Sequence, residues 1–209
     1  MVTAADKNKL KFGVRNVHVI KATDTGTALT YEGTPIPWRG AVELTLDPNG
    51  DALEEYADDI QYAKIENNQG YTGKMTMEYL QPEIDELIFG NKPGEDGVTV
   101  ENADNKTSIV ALMFEFSGDQ NHVRHILYNV GFSRSSDGSS TRADKLEAQK
   151  SEFEFSAMPD PYNYNIKAKV PEGAAPYATW FDKVYIPGEA GEGDGSGEGA
   201  KVAKSKKVV

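Results

Sequence analysis

Few residues in this chain have types and spacing suited to chemistry. There is no cysteine, so no thiolate nucleophile, disulfide framework or sulfur-ligated metal is available. His122 and His125 stand three apart at the start of a strand-like run, and on a strand that separation sends the two rings to opposite faces. They are poorly placed to share one metal ion. Asp47, Asn49 and Asp51 have the one-three-five spacing of a calcium loop, but Ala52 stands at the sixth position where glycine is needed, and no helix precedes the segment. Glu54 with Glu55, Asp58 with Asp59, and Glu152 with Glu154 could work as acid and base only if unequal environments separated their pKa values. They lie on polar strand faces and in loops, where solvated charge is the default. No nucleophile has an evident base beside it. Neither a phosphate loop ending in Lys-Ser or Lys-Thr nor a dinucleotide fingerprint is present. No catalytic, metal-ligating or cofactor-binding residue is assigned.

The elements that must position these groups are mostly strands. Residues 107–134 form the centre. Val110, Leu112, Phe114 and Phe116 alternate in the first half, Ile126, Tyr128, Val130 and Phe132 in the second, and Gly118, Asp119, Gln120 and Asn121 supply the turn of a long antiparallel hairpin. Ile109, Ala111 and Met113 make the first strand apolar on its other face too, which predicts cover on both sides. Residues 12–20 read as a strand with a phase slip near Asn16, and lone His18 within it as a packed or edge residue. Val42, Leu44 and Leu46 alternate up to the Pro48-Asn49-Gly50 turn. Tyr71, Gly73, Met75, Met77 and Tyr79 share one face of a further strand, and Phe153 and Phe155 oppose Glu152 and Glu154 in the last long one. Two short helices are expected. Residues 82–89 begin with Pro82, carry Glu83, Asp85 and Glu86 near the positive end of the dipole and stop at Gly90. The other opens at Pro176, with Tyr177, Trp180, Phe181 and Val184 in one apolar stripe that lids the sheet.

The chain has 209 residues and a formal net charge of -11. Residues 1–187 read as one β-rich domain and residues 188–209 as a flexible Gly-rich linker with a Lys-rich tail. In that tail Glu189, Glu192, Asp194 and Glu198 are cancelled by Lys201, Lys204, Lys206 and Lys207, so the whole negative balance falls on the domain. Such a balance opposes tight nucleic-acid binding, which needs clustered Lys and Arg to release counterions, while allowing loose contact. No apolar run suits a signal peptide or a membrane span, and the expected compartment is the cytoplasm.

Several stretches resemble the major tail protein, or tail tube protein, of long non-contractile-tailed phages and prophages of Gram-positive hosts. They are KFGVRNVHV (11–19), GAVELTLDPNGD (40–51), YADDIQY (56–62), NNQGYTGKM (67–75), DGVTVENAD (96–104), ALMFEFSGD (111–119), RHILYNVGFSR (124–134) and TWFDKVY (179–185). The resemblance implies a mainly β fold, a tail-tube-type β-sandwich or barrel with one short flanking helix, a long inter-strand arm and a second short C-terminal helix. It implies a structural virion protein whose hexameric rings stack into a tube for double-stranded DNA ejection, assembled in the host cytoplasm and residing in the virion tail. Its partners would be further copies of itself, the tail-tip, tape-measure and tail-terminator proteins, and double-stranded DNA in transient, non-specific passage, with no membrane insertion and no turnover. Under that reading the acidic excursion between Leu46 and Ile60, with Asp51, Leu53, Glu54, Glu55, Tyr56, Asp58 and Asp59, is the inter-ring arm. Glu43, Glu78, Glu152 and Glu154, on polar sides of amphipathic strands, would line the lumen and keep DNA from adhering. The alternative is a carbohydrate- or peptide-binding β-sandwich using Trp38, Tyr162, Tyr164 and Trp180 as contacts.

Overall fold

The alternating runs become strands of an antiparallel sheet. The computed structural model describes residues 13–119, 121–135 and 149–188. In chain order these hold β1 (Val14–Asp24), β2 (Leu29–Tyr31), β3 (Ile36–Pro37), β4 (Ala41–Pro48), β5 (Leu53–Ala57), β6 (Ile60–Ile65), β7 (Tyr71–Met77), helix α1 (Pro82–Phe89), β8 (Ile109–Phe116), β9 (Arg124–Phe132), β10 (Ser151–Met158) and β11 (Lys167–Val170). Nine of the strands make one sheet in the order β2-β1-β8-β9-β10-β7-β4, with β3 also on β1 and β11 also on β9. Among the described residues β5 and β6 pair only with each other. The fold is mainly β with one α-helix, as the alternation predicts.

Of the sandwich and the barrel, the sheet takes the barrel-like form. β3 lies on the free edge of β1, β4 lies on β7 at the far end of the sheet, and only residues 38–40 separate them. Trp38 donates its amide to Val17 O at 2.8 Å, and Gly40 O accepts from Glu78 at 2.8 Å, so this connection ties the two ends together. The inside is a single core. Val17 and Val19 of β1, Leu112 and Phe114 of β8, Phe153 and Phe155 of β10, and Met75 and Met77 of β7 all pack in it around Trp38. α1 closes one end, with Ile84, Ile88 and Phe89 inward and Gly90 in the left-handed conformation its C-cap requires.

A second, smaller cluster lies on the outer side of β1, β8 and β9, where Ile20, Ala111, Met113, Ile126 and Tyr128 are covered by Val170 and Trp180. This explains the double-faced hydrophobicity of β8. It also corrects the expected phase of β9. The β8–β9 register shifts between Val110 and Leu112, so Ile126 and Tyr128 face the outer cluster while Val130 and Phe132 turn into the barrel. One extra residue on β9 flips every side chain beyond it. The slip near Asn16 is present, with Asn16 at φ 52° and a register shift between Arg15 and His18.

The second helix is reduced to a three-residue 3-10 turn, Ala175–Tyr177, followed by further turns. Its aromatic residues still act as the expected lid. Trp180 is buried, Tyr177, Phe181 and Val184 pack beside it, and Tyr128 Oη donates to Tyr185 O at 2.8 Å. Stacking of His18 on Phe181 and hydrogen bonds to the sheet hold these rings without a helical ladder. Phe12, the loop beyond residue 135 and the tail beyond residue 188 lie outside the described residues. Among the described residues no helix is long and apolar enough to cross a membrane.

Candidate assembly arm and acidic sheet face

β4 and β7 are the inner half of a long β-ribbon whose outer half is β5 and β6. Their ladder runs from Ala41↔Met77 to Pro48↔Tyr71 and continues through Asn49, which donates to Gly70 O and accepts from Gln69, both at 2.9 Å. Gly50 then lets the ribbon leave the sheet. Its φ is +131°, and a β-carbon there would stand 1.8 Å from Asn67 O. β5 and β6 pair from Leu53↔Ile65 to Ala57↔Ile60, with Asp58 and Asp59 at φ 53° and 61° in the two-residue turn. Positive φ at both positions fits a type I′ hairpin and suits Asp. The hairpin therefore protrudes from the end of the barrel opposite α1.

Its side chains are what a folded domain normally hides. Tyr62 is 76 % exposed, Tyr56 68 %, Ile60 65 %, Ile65 60 % and Leu53 53 %. The register gathers Leu53, Ala57, Ile60, Ala63 and Ile65 on one face, with Glu55 among them opposite Ala63, while Glu54, Tyr56, Gln61 and Lys64 occupy the other. All seven arm residues picked out by the resemblance lie on this excursion. The second strand was missed as part of it, although Ile60, Tyr62 and Ile65 after an Asp-Asp turn are a legible hairpin signal. The excursion thus runs beyond Ile60, to Ile65.

The four candidate lumen carboxylates come together. Glu43 lies opposite Thr76, Glu152 opposite the same Thr76, and Glu154 opposite Lys74, on the outer face of β4–β7–β10, which Glu78 and Asp47 extend. Lys74 sits at the centre, 3.1 Å from Glu152 and 3.9 Å from Glu154, and Lys150 reaches Glu78 at 3.7 Å. Hydrogen bonding to Glu152, reinforced by charge attraction from Glu152, Glu154 and Glu43, raises the Lys74 pKa above the ordinary lysine value. Five carboxylates face solvent against two ammonium groups. The face is open to solvent. Sequence reasoning overlooked Lys74 because its partners, although on the neighbouring strand β10, lie about 78 residues further along the chain.

A buried carboxylate, Glu115, anchors the other side of the barrel. It is 2 % exposed and takes Arg15 Nε at 2.6 Å, Arg124 Nε at 3.3 Å and Asn16 Nδ2 at 2.6 Å. Arg124 also lies 3.9 Å over the Tyr177 ring and donates to Tyr177 O at 2.6 Å, so one cluster joins the β1 bulge, the β8–β9 hairpin and the C-terminal lid. Three donors to one carboxylate make it structural.

The remaining candidates separate. His122 lies in the β8–β9 turn and His125 is buried against Phe114, so they do not converge. Among the described residues no group of three or more His, Asp or Glu is placed to hold a metal ion. Trp38 and Trp180 are 1 % and 2 % exposed, which removes them as carbohydrate or peptide contacts. Tyr162 and Tyr164 do reach solvent, and Tyr162 Oη donates to Asp24 at 2.5 Å.

No family model matches this sequence, and no curated protein matches it. Solved structures do. A chain of the sheath-tube complex of an extracellular contractile injection system, PVC, in its extended state is similar at a TM-score of 0.43 and 10 % identity, over 82 % of this chain and 99 % of that one. The tube-terminating cap of the anti-feeding prophage is similar at a TM-score of 0.39 and 13 % identity, with the same coverages. These are likenesses of shape at low identity, and they assign neither partner nor activity to this chain.

Proposed function

We propose that this chain is a structural subunit that assembles with copies of itself, six to a ring, into the stacked tube of a phage tail, a conduit for double-stranded DNA. The observation that supports it above all is the β5–β6 hairpin. Five large side chains more than half exposed, on a hairpin that among the described residues pairs only with itself, are a standing liability in a solitary molecule. They become useful when a neighbour covers them. Fully burying one such aliphatic side chain contributes about 1.5–3 kcal/mol, so the hairpin is an efficient place to hold subunits together.

A polar tube needs a contact between unlike surfaces that closes into a ring and a second one that repeats without closing. The hairpin protrudes at one pole and α1 closes the other, so rings stacked in one orientation bring unlike poles together. The hairpin is the inter-ring arm in this arrangement. The acidic face of β4–β7–β10 is the lumen wall, with Glu43, Glu78, Glu152 and Glu154 repelling phosphates at a surface DNA must slide past. Residues 1–187 are the tube-forming domain. Tail-tip, tape-measure and tail-terminator proteins are the partners that start, measure and stop such a tube, and the virion tail is its place.

Negative-stain electron microscopy of the purified protein, with and without a tail-tip initiator, tests this. Rings or tubes of uniform bore are expected. The combined variant Leu53→Ser, Ile60→Ser, Ile65→Ser should remain folded and fail to form them. A wild-type protein that stays monomeric at high concentration in both conditions would defeat the proposal.

A further inference from the structure

We infer that the acidic tip of the β5–β6 hairpin docks in a cationic slot at the barrel seam of a second copy; this rests on the assembly reading above and names the surface that receives the arm. The slot is where the chain passes from β3, on β1, to β4, on β7. β3 runs alongside β1 as far as the hydrogen bond from Trp38 to Val17, and the two then part as Gly40 turns to Glu78. The opening holds about 450 Å³, with Arg15 and Asn16 on one wall, Arg39, Gly40 and Ala41 on the other and Trp38 between them.

Its charge is unlike that of the surface around it. The notch beside α1 sets Asp85 and Glu101 against Arg134, and the hollow over β7 sets Asp47 and Glu154 against Lys74, so each leans negative. The seam slot is lined by two arginines and no carboxylate, in a chain of net charge -11. Arg15 leans on buried Glu115, which also takes Arg124, so that trio keeps one positive charge. Arg39 is exposed and makes no ion pair among the described residues. Two units of positive charge thus stand at the slot, around an opening between two chains that have ceased to pair.

The hairpin has the opposite character. Residues 51–66 carry Asp51, Glu54, Glu55, Asp58, Asp59 and Glu66 against Lys64 alone, a balance of 6 minus 1 in favour of carboxylates. The tip is narrow, a two-residue turn between strands roughly 4.8 Å apart, with both of its side chains acidic. Asp58 and Asp59 meet Arg39 and the outer side of Arg15, and a carboxylate against guanidinium in a partly closed slot is far less screened than one in open solvent. The contact is between unlike surfaces, so it extends a stack. Double-stranded DNA is the competing anion, but the acidity of the whole molecule opposes it.

A charge swap tests the docking. Arg39→Glu, and separately Asp58→Lys with Asp59→Lys, should each raise the critical concentration for assembly at least tenfold by light scattering, and the three changes combined should restore it to within about threefold of wild type. Arg39→Gln, which adds no repulsion, should give an intermediate rise, and circular dichroism should show every variant folded. An unchanged critical concentration for Arg39→Glu and Arg39→Gln overturns the slot. So does impairment that the combined variant fails to repair, and so does loss of duplex DNA retention with assembly unchanged. In each case the triple-serine hairpin variant still reports separately on assembly through the arm.

Discussion

The ribbon from β4 to β7 is two different materials along its length. In its inner half Met75 and Met77 are wholly buried against Phe153 and Trp38, and the opposite faces carry the Lys74 cluster. In its outer half Leu53, Ile60 and Ile65, brought to one face by a register shift, stay more than half exposed and join neither core cluster of the described residues. Backbone pairing is similar in both. What differs is whether the sheet curls over the apolar face, and it does so only as far as Gly50 and Gly70. In the proposed assembly, stability belongs to the inner half and association to the outer half, so the two properties should be separable by substitution.

The largest effect expected on stability comes from the core side of that divide. Trp38 is 1 % exposed and lies against Phe132 and Phe153, so Trp38→Ala should destabilise the fold by about 3–5 kcal/mol. A fall in melting temperature on the order of 10 °C is the readout, and a change of a degree or less would show that the seam does not hold the barrel shut. The boundary itself is the next place to press. Gly50→Ala places a β-carbon against Asn67 O and forces a positive φ, which should tilt or loosen the hairpin while the barrel keeps nearly its wild-type melting temperature. Assembly should fall several-fold. If melting and assembly fell together in proportion, the two halves would be one cooperative unit.

The smallest effect is electrostatic. The Lys74 pKa is raised by Glu152, so the stabilisation from that cluster is fully present below the ordinary lysine value and disappears as pH climbs through the raised one. Wild type should lose its small melting advantage over Lys74→Met on going from pH 9 to pH 12. The pair is exposed, which keeps the effect small and salt-sensitive. An advantage that persisted at high pH would mean that the lysine stem, packed along the sheet, matters more than its charge.

Much of this architecture was legible locally. Pro82 and Gly90 bracket the helix because one supplies a preset φ without a needed amide and the other accepts a left-handed cap. The alternation of β10 and β7 displays which faces are wet, the double-faced hydrophobicity of β8 displays that neither of its faces is, and the slip at Asn16 marks a bulge. The candidate site was legible in part: the acidic excursion was visible, while its partner strand and the encirclement of Lys74 were not.

By itself the amino-acid order determined the strands, the helix, the lack of thiol chemistry and the surplus of carboxylates, since each depends on residues within a few positions of one another or on composition alone. Tertiary structure decided the rest. It closed the sheet through residues 38–40, turned Val130 and Phe132 inward after the β9 bulge, buried both tryptophans, and left two arginines facing an open seam. Those outcomes depend on which distant edges meet when a twisted sheet curls on itself, and a one-residue shift in register changes them all while leaving the local pattern intact.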